Sequence, residues 1–390
     1  MAQIAPPIIN PNLVDTATPP IPEAQAWARS YDGAAGPLID LSQAVPGYPP
    51  HLELLQRLAK SAGEVGTASY GPIEGDTILR QTYASHVAEL YGGEVDWRDT
   101  AITTGCNQAF FVAMLTTAKA GDSVLLPSPW YFNHKMTLDM LGIDARALPC
   151  LAEDGFVPDV AAAEDLIDAT TRAIVLVTPN NPTGAVYPPK TIDAFARLCR
   201  NRGIFLVLDE TYRDFIAGRP HGLIASADYR NTLIYLYSFS KSYCIPGHRL
   251  GALIASPVLR AQIGKVLDTL QICAPRTAQS PVAWGIEGLK QWREANRVEI
   301  ERRAQAFRKA FDGVNGWKID SMGAYFAFLH HPLADRPAAA VVKELVEKAG
   351  VLCLPGPYFG PGQEGHLRVA FANAGVEALT ALRQRFARFA

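Results

Sequence analysis

This sequence predicts an α/β fold built around a mainly parallel sheet, and three observations carry that expectation. Five short apolar runs in the middle of the chain are continuous rather than alternating, as strands buried on both faces are. Amphipathic helical patterns separate some of these runs, and alternation of strand and helix implies parallel pairing. The length of 390 residues suggests two domains and allows three, at roughly 100–200 residues per domain.

The first twenty-odd residues hold Pro6, Pro7, Pro11, Pro19, Pro20 and Pro22. Proline fixes φ and removes a backbone donor, so this stretch reads as an extended arm that dangles or lies on another surface. The five strand runs are 123–127 (SVLLP), 172–178 (RAIVLVT), 204–210 (IFLVLDE), 231–238 (NTLIYLYS) and 249–255 (RLGALIA). A helix is expected over about 106–119, and another over 191–203 (TIDAFARLCRNRG), closed by its glycine. After about residue 285 the pattern changes. A charged segment ending at Gly313 reads as one helix of nearly thirty residues that links two parts of the chain. Strands near 324–330, 351–355 and 366–372 and a helix near 338–349 then form a smaller α+β unit.

Composition removes several function classes. Apolar residues make up 48% and charged residues 19%, which suits a globular chain with a buried core. The formal net charge of −2 offers no bulk reason to bind nucleic acid or an anionic membrane. Six cysteines, at 106, 150, 199, 244, 273 and 353, are too far apart for a CxxC pair or a zinc ribbon. They read as reduced thiols of a cytosolic protein. The N-terminus lacks a basic region and is broken by prolines, unlike a signal peptide. The longest uncharged stretch, Thr100 to Ala118, is too polar for a bilayer span. A soluble, cytoplasmic protein without a structural metal is expected.

Chemistry is concentrated in SFSKSYCIPGHRLG (238–251). It follows an apolar strand, and ligand sites of parallel sheets lie outside the carboxyl ends of strands. Lys241 there, flanked by small hydroxyls and eight residues before Arg249, suits a lysine that forms a Schiff base beside an anion clamp. This segment resembles the pyridoxal-phosphate lysine motif of class I and II aminotransferases. TPNNPTG (178–184), DETYRDF (209–215), TTGCNQA (103–109) and YGPIEGDTILR (70–80) resemble four further motifs of that family, in the family's order.

The resemblance implies a fold-type-I transferase: a large α/β domain with a mainly parallel seven-stranded sheet, plus a smaller α+β domain. The expected division is 1–46 as an arm and part of the small domain, 47–285 as the cofactor domain, and 286–390 as the small C-terminal domain. It implies pyridoxal 5'-phosphate held as a Schiff base on Lys241. It places Asp209 at the pyridine nitrogen, where an opposite charge keeps the ring protonated. It places Asn181 and Tyr212 at the phenolic oxygen, and Tyr131 stacked on the ring, with Trp130 as the alternative. The phosphate falls to the backbone of Gly105, Cys106 and Asn107 at a helix N-terminus, with Ser238 and Arg249. Tyr70 matches a tyrosine that reaches the phosphate from the other subunit, which implies a homodimer with shared active sites. Arg368 matches the arginine that grips the substrate α-carboxylate. The segment 41–49 (LSQAVPGYP) resembles the one that adds backbone to the same site, with Ala44 replacing the usual glycine. Cys244 stands where the family has a smaller residue or Asn.

The implied reaction transfers an amino group from an L-amino acid to a 2-oxo acid, with Lys241 as the general base. Dicarboxylate-specific members carry a cation at positions that here read as Thr269 and Asn107, although Arg276 is near enough to substitute for the first. Tyr31, Tyr48 and Trp130 lean toward a neutral or aromatic substrate. The alternative keeps fold and cofactor but breaks another bond, as a C–S β-lyase does. A ligand-sensing regulator lacks its DNA-binding segment, and a nicotinamide dehydrogenase lacks its G-x-G-x-x-G.

Overall fold

The computed structural model describes residues 8–219, 221–314, 316–333, 335–387 and 389. Seven strands form the large sheet: β1 (Thr100–Thr103), β2 (Ser123–Ser128), β3 (Asp144–Pro149), β4 (Thr171–Val177), β5 (Phe205–Asp209), β6 (Leu233–Ser238) and β7 (Gly251–Ile254). Their spatial order is β1-β7-β6-β5-β4-β2-β3, and only β7 runs antiparallel to its neighbours.

Continuous apolar runs are needed because both faces are covered. Leu125, Ile174, Leu176, Leu206 and Leu208 join one core, with Leu79, Tyr83, Ile192 and Phe195 from the helices Thr77–Tyr91 and Pro189–Arg202. The alternate residues Val124, Leu126, Ala173, Val175 and Val207 join another, with Phe110 and Val112 from the helix Cys106–Thr117. The two strands missing from the expectation, β1 and β3, are the sheet's edges. β1 is buried but short and carries two threonines, and β3 is largely half-exposed, so TAIT and DARALP carry too little apolar signal to be read locally.

The smaller sheet has strands β8 (Lys318–Gly323), β9 (Phe326–His330), β10 (Leu354–Pro355) and β11 (His366–Val369), antiparallel in the order β10-β11-β9-β8. Ile39–Asp40 pairs in parallel with Val351–Leu352, which ties the N-terminal segment to this unit. Its core contains Ile300, Phe307, Phe326, Val369 and Phe386, and Tyr212 and Phe215 enter it from the loop after β5.

Two expectations are corrected. The N-terminal segment is not wholly extended, because Pro11–Asp15 and Pro20–Arg29 are helical. Both begin at a proline, whose preset φ suits a first helical position. The long helix is also broken. Gln279–Gly288 and Lys290–Phe311 are separate, with Leu289 between them at φ −112°, ψ 15°. Glycines 285 and 288 weaken the helix there, and the break lets the Leu289 side chain bury. No helix among the described residues is long and apolar enough to cross a membrane.

Candidate active site

The strand ends determine what can meet. Ser128, Val177, Asp209 and Ser238 finish β2, β4, β5 and β6 on one edge of the sheet, and antiparallel β7 brings Arg249 to that edge from its start. A cavity of about 220 Å³ opens there. It is lined by Lys241, Asp209, Tyr212, Asn181, Ser238, Arg249, Arg368, Cys106, Asn107, Tyr131 and Ala44. Eleven of the thirteen residues expected at the site thus share one cavity. Gly105 lies directly behind Arg249. Tyr70 lies outside, on the surface, 77% exposed.

Lys241 sits in a short helical turn, Phe239–Ser242, capped by the Ser238 hydroxyl. Its Nζ donates to the carbonyl oxygen of Ala44. Burial, then the cations Arg249 and Arg368, lower its pKa from 10.5 to about 8. A lysine in this state loses its proton near pH 8 rather than above pH 10, which brings the free amine that a nucleophile or general base requires closer to neutral pH.

Asp209 is buried. Its Oδ1 accepts hydrogen bonds from Thr211, from the backbone N at 2.9 Å and from Oγ1 at 2.7 Å. Its Oδ2 lies 3.4 Å from Nε2 of His134. Burial alone would push the carboxyl up, but His134 and Thr211 together hold it below the usual carboxylate range. Asp209 is thus a buried anion built to stay ionised.

His134 was invisible to sequence reasoning. It lies on the helix Phe132–Leu141, buried and stacked on Phe110 with ring centroids 3.8 Å apart. A lone histidine on an apolar helix face carries no signal of its partner. Ser240 was missed too. Its buried hydroxyl lines the cavity and has no hydrogen-bond partner.

On the opposite wall, Arg368 of β11 is buried. Its Nη1 donates to Asn181 Oδ1 at 3.2 Å, and its Nη2 donates to the Ser42 carbonyl. Segment 42–44 therefore lends carbonyls to both Arg368 and Lys241. Burial lowers the Arg368 pKa to about 10, so the guanidinium stays charged at neutral pH. The Asn-Pro-Thr-Gly turn that presents Asn181 is held by Thr183 Oγ1 donating to Asn180 Oδ1 at 2.9 Å. Gly184, at φ +75°, approaches the small sheet so closely that a Cβ would lie 2.4 Å from the Phe326 carbonyl.

The anion cradle is equally tight. Cys106 and Asn107 open a helix whose first N–H groups have no intrahelical acceptor. Gly105 precedes them at φ +81°, and a Cβ there would lie 2.3 Å from Nη2 of Arg249. Glycine is what lets the guanidinium meet the helix start. An unpartnered serine hydroxyl, helix N–H groups and an arginine around one hollow fit a phosphate. A carboxylate held ionised in the same cavity fits a pyridinium nitrogen. The residues present therefore match pyridoxal phosphate.

Several peripheral expectations change. Tyr131 lines the cavity, with its hydroxyl 2.8 Å from Asn133 Nδ2, whereas Trp130 faces a neighbouring hollow with Tyr358 and Gly360. Neither Tyr31 nor Tyr48 reaches the cavity. The Tyr31 hydroxyl donates to the Gly36 carbonyl, and Tyr48 packs against Trp292 and Arg303. Ile21, Val45 and Phe132 line the cavity instead. Thr269 lies outside it and donates to the Lys265 carbonyl. Arg276 pairs with Asp76 at 3.1 Å and donates to the Gly66 carbonyl at 2.6 Å. Cys244 takes φ +57°, a left-handed backbone that disfavours a Cβ by roughly 1–2 kcal/mol. That explains why Asn or a smaller residue suits this position.

Comparison with known proteins bears on the whole chain. The family described as aminotransferase class I and II matches residues 37–386. An aromatic aminotransferase of Arabidopsis thaliana is 27% identical over 342 residues, covering 86% of this chain and 85% of that protein. A valine–pyruvate aminotransferase of Mycobacterium tuberculosis is 28% identical, covering 94% and 95%. A solved Thermus thermophilus aspartate aminotransferase, a single mutant, superposes with a TM-score of 0.91 at 23% identity, covering 98% of this chain and 100% of that one.

Proposed function

From the premise that this chain belongs to the class I and II aminotransferase family, we propose that Lys241 is its catalytic lysine and that its amino donor is a neutral or aromatic L-amino acid. The family implies pyridoxal phosphate and transfer of an amino group between an amino acid and a 2-oxo acid. The observation that carries the residue-level reading is the single cavity in which a lysine with its pKa lowered to about 8 meets a buried, ionised Asp209.

When bound, pyridoxal phosphate supplies a carbonyl for the amino group and a ring that accepts electrons from Cα. Everything else falls to the chain. Ser238, Ser240, Arg249 and the N–H groups of Cys106 and Asn107 hold the phosphate. Asp209, steadied by His134 and Thr211, keeps a proton on the ring nitrogen. Asn181 and Tyr212 donate to the ring oxygen, and burial keeps the Tyr212 phenol protonated. Tyr131 covers one face of the ring. Arg368 takes the substrate carboxylate through a paired N–H fork, which a lysine would not offer. Lys241 takes the Cα proton as general base.

Three cations line the cavity, Lys241, Arg249 and Arg368, and each has a role in this reading. None is left for a second carboxylate, while Ile21, Val45 and Phe132 offer apolar surface. The methyl of Ala44 narrows the same space. Arg276 is held by Asp76 and Gly66, so it is not free within its own chain.

We further propose a cytoplasmic homodimer. Tyr70 is exposed on the single chain, and Arg276 anchors the loop that carries it, as expected of a side chain offered to a partner's phosphate site. All six cysteines are unpaired, consistent with a reducing compartment.

Substitution of the lysine tests the central assignment. Purified Lys241→Ala is expected to lose the near-visible absorption of the cofactor-loaded enzyme and all turnover. Retention of that band would refute the assignment. A donor screen on the wild type is expected to favour neutral or aromatic amino acids, and a preference for aspartate would refute the substrate class.

A further inference from the structure

A second cavity, of about 650 Å³, lies between the helix Thr77–Tyr91, the turn after Tyr212 and the start of the helix Lys290–Phe311. It shares no lining residue with the first. Four cations line it, Arg213, Lys290, Arg293 and Arg297, against two carboxylates, Asp214 and Glu294.

The carboxylates are already engaged. Asp214 accepts from the Tyr237 hydroxyl and pairs with Arg293 at 3.5 Å, and Glu294 pairs with Arg297 at 2.7 Å. The cations are not all satisfied. Arg213 is only 2% exposed, and among the described residues no carboxylate lies within ion-pair distance of it. Its Nη1 donates to the hydroxyls of Tyr91 and Tyr235, while its Nε and Nη2 have no partner. Arg293 also leaves its Nε unmatched. The Tyr237 ring lies 4.4 Å from the Arg213 guanidinium, and three more tyrosine rings lie within 6 Å. Ring faces stabilise the charge but do not fill its donors. These unmatched N–H groups are enclosed, so Arg213 acts on the cavity through its charge, which no carboxylate within ion-pair distance neutralises among the described residues. His86 on the same wall reports the local field. Burial, then the cations Arg213, Arg293 and Lys290, hold it well below the ordinary histidine range.

We propose that this cavity is a binding site for a small multivalent oxyanion, a polycarboxylate or a phosphate ester. Exposed Lys290 and half-buried Arg297 supply charge and donors at the surface, and the guanidinium groups of Arg213 and Arg293 add positive charge from behind them.

The test is titration calorimetry on the cofactor-loaded enzyme, at constant ionic strength in chloride, with citrate in one arm and inorganic phosphate in the other. Arg368→Ala serves as the background, so that carboxylate binding at the active site does not contribute. Saturable binding of at least one probe is expected, and the tighter arm identifies the source as carboxylate or phosphate. Adding Lys290→Gln and Arg297→Gln is expected to weaken that binding at least tenfold. Their ion pairs are with exposed glutamates, so the unliganded unfolding midpoint should stay the same. No saturable binding in the Arg368→Ala background, or binding undiminished in the triple variant, would overturn the proposal.

Discussion

Replacing Lys241 with methionine should stabilise the cofactor-free protein, and by an amount that depends on pH. The folded protein lowers the Lys241 pKa from 10.5 to about 8, chiefly by burial and then through Arg249 and Arg368. The unfolded chain therefore binds this proton more tightly than the folded one. Below pH 8 the lysine is charged in both states, and the folded state carries the full penalty. At about 1.4 kcal/mol per pH unit the gap corresponds to about 3.5 kcal/mol. The amine is partly open to the cavity, so solvent screening reduces this to between about 1 and 3 kcal/mol. Between pH 8 and 10.5 the folded protein loses the proton while the unfolded chain keeps it, so wild-type stability rises with pH. Methionine has similar volume and no charge, so it escapes the penalty. Urea unfolding of both apoproteins at one protein concentration, at pH 7 and pH 10.5, measures the effect. The variant should be more stable at pH 7, and the two should converge at pH 10.5. A pH-independent difference, or a variant less stable at pH 7, would show that the cavity does not perturb this amine and would remove the basis for its role as a base.

Two further substitutions probe the cradle and the carboxylate clamp. Gly105→Ala combines left-handed backbone strain of roughly 1–2 kcal/mol with displacement of Arg249. Losing a charge-assisted contact of about 1.5–3 kcal/mol should weaken cofactor affinity roughly 10–150-fold, read by fluorescence titration of the apoprotein. An unchanged affinity would separate Arg249 from the phosphate. Arg368→Lys keeps the charge but not the fork, so kcat/KM for the amino donor should fall roughly 10–150-fold while the cofactor absorption stays the same. Loss of cofactor in that variant would mean that Arg368 serves the cofactor rather than the substrate.

What could be read before any coordinates were those features whose physics is local. Runs such as IFLVLD point to a strand covered on both faces, because adjacent side chains of a strand face opposite sides and here both kinds are apolar, in a run too short for a helix. Gly203 closing the helix Pro189–Arg202 is legible because the left-handed cap is a property of one residue. The residues that meet in the cavity could be named in advance because the family resemblance assigns each to a motif, and the motifs carry those side chains in order. The edge strands β1 and β3 were not legible, since their stability comes from a neighbour rather than from their own pattern. Nor was the break at Leu289, where a buried contact outweighs helical continuity. Tyr48 lies within segment 41–49 and Tyr31 ten residues before it, yet neither reaches the cavity, because proximity along the chain does not set which way a side chain points.

Tertiary packing alone decided the pairing of His134 with Asp209, the carbonyls of Ser42 and Ala44 on Arg368 and Lys241, and the guanidinium of Arg249 pressed against Gly105. In each of these pairs the partners lie 75 or more residues apart. Whether two such groups touch depends on how whole layers of side chains stack, and no periodicity within one segment encodes that. The chemistry each residue type can perform is a local property of the chain. The electrostatic environment that lowers the Lys241 pKa and keeps Asp209 ionised exists only once distant parts of the chain exclude water around them.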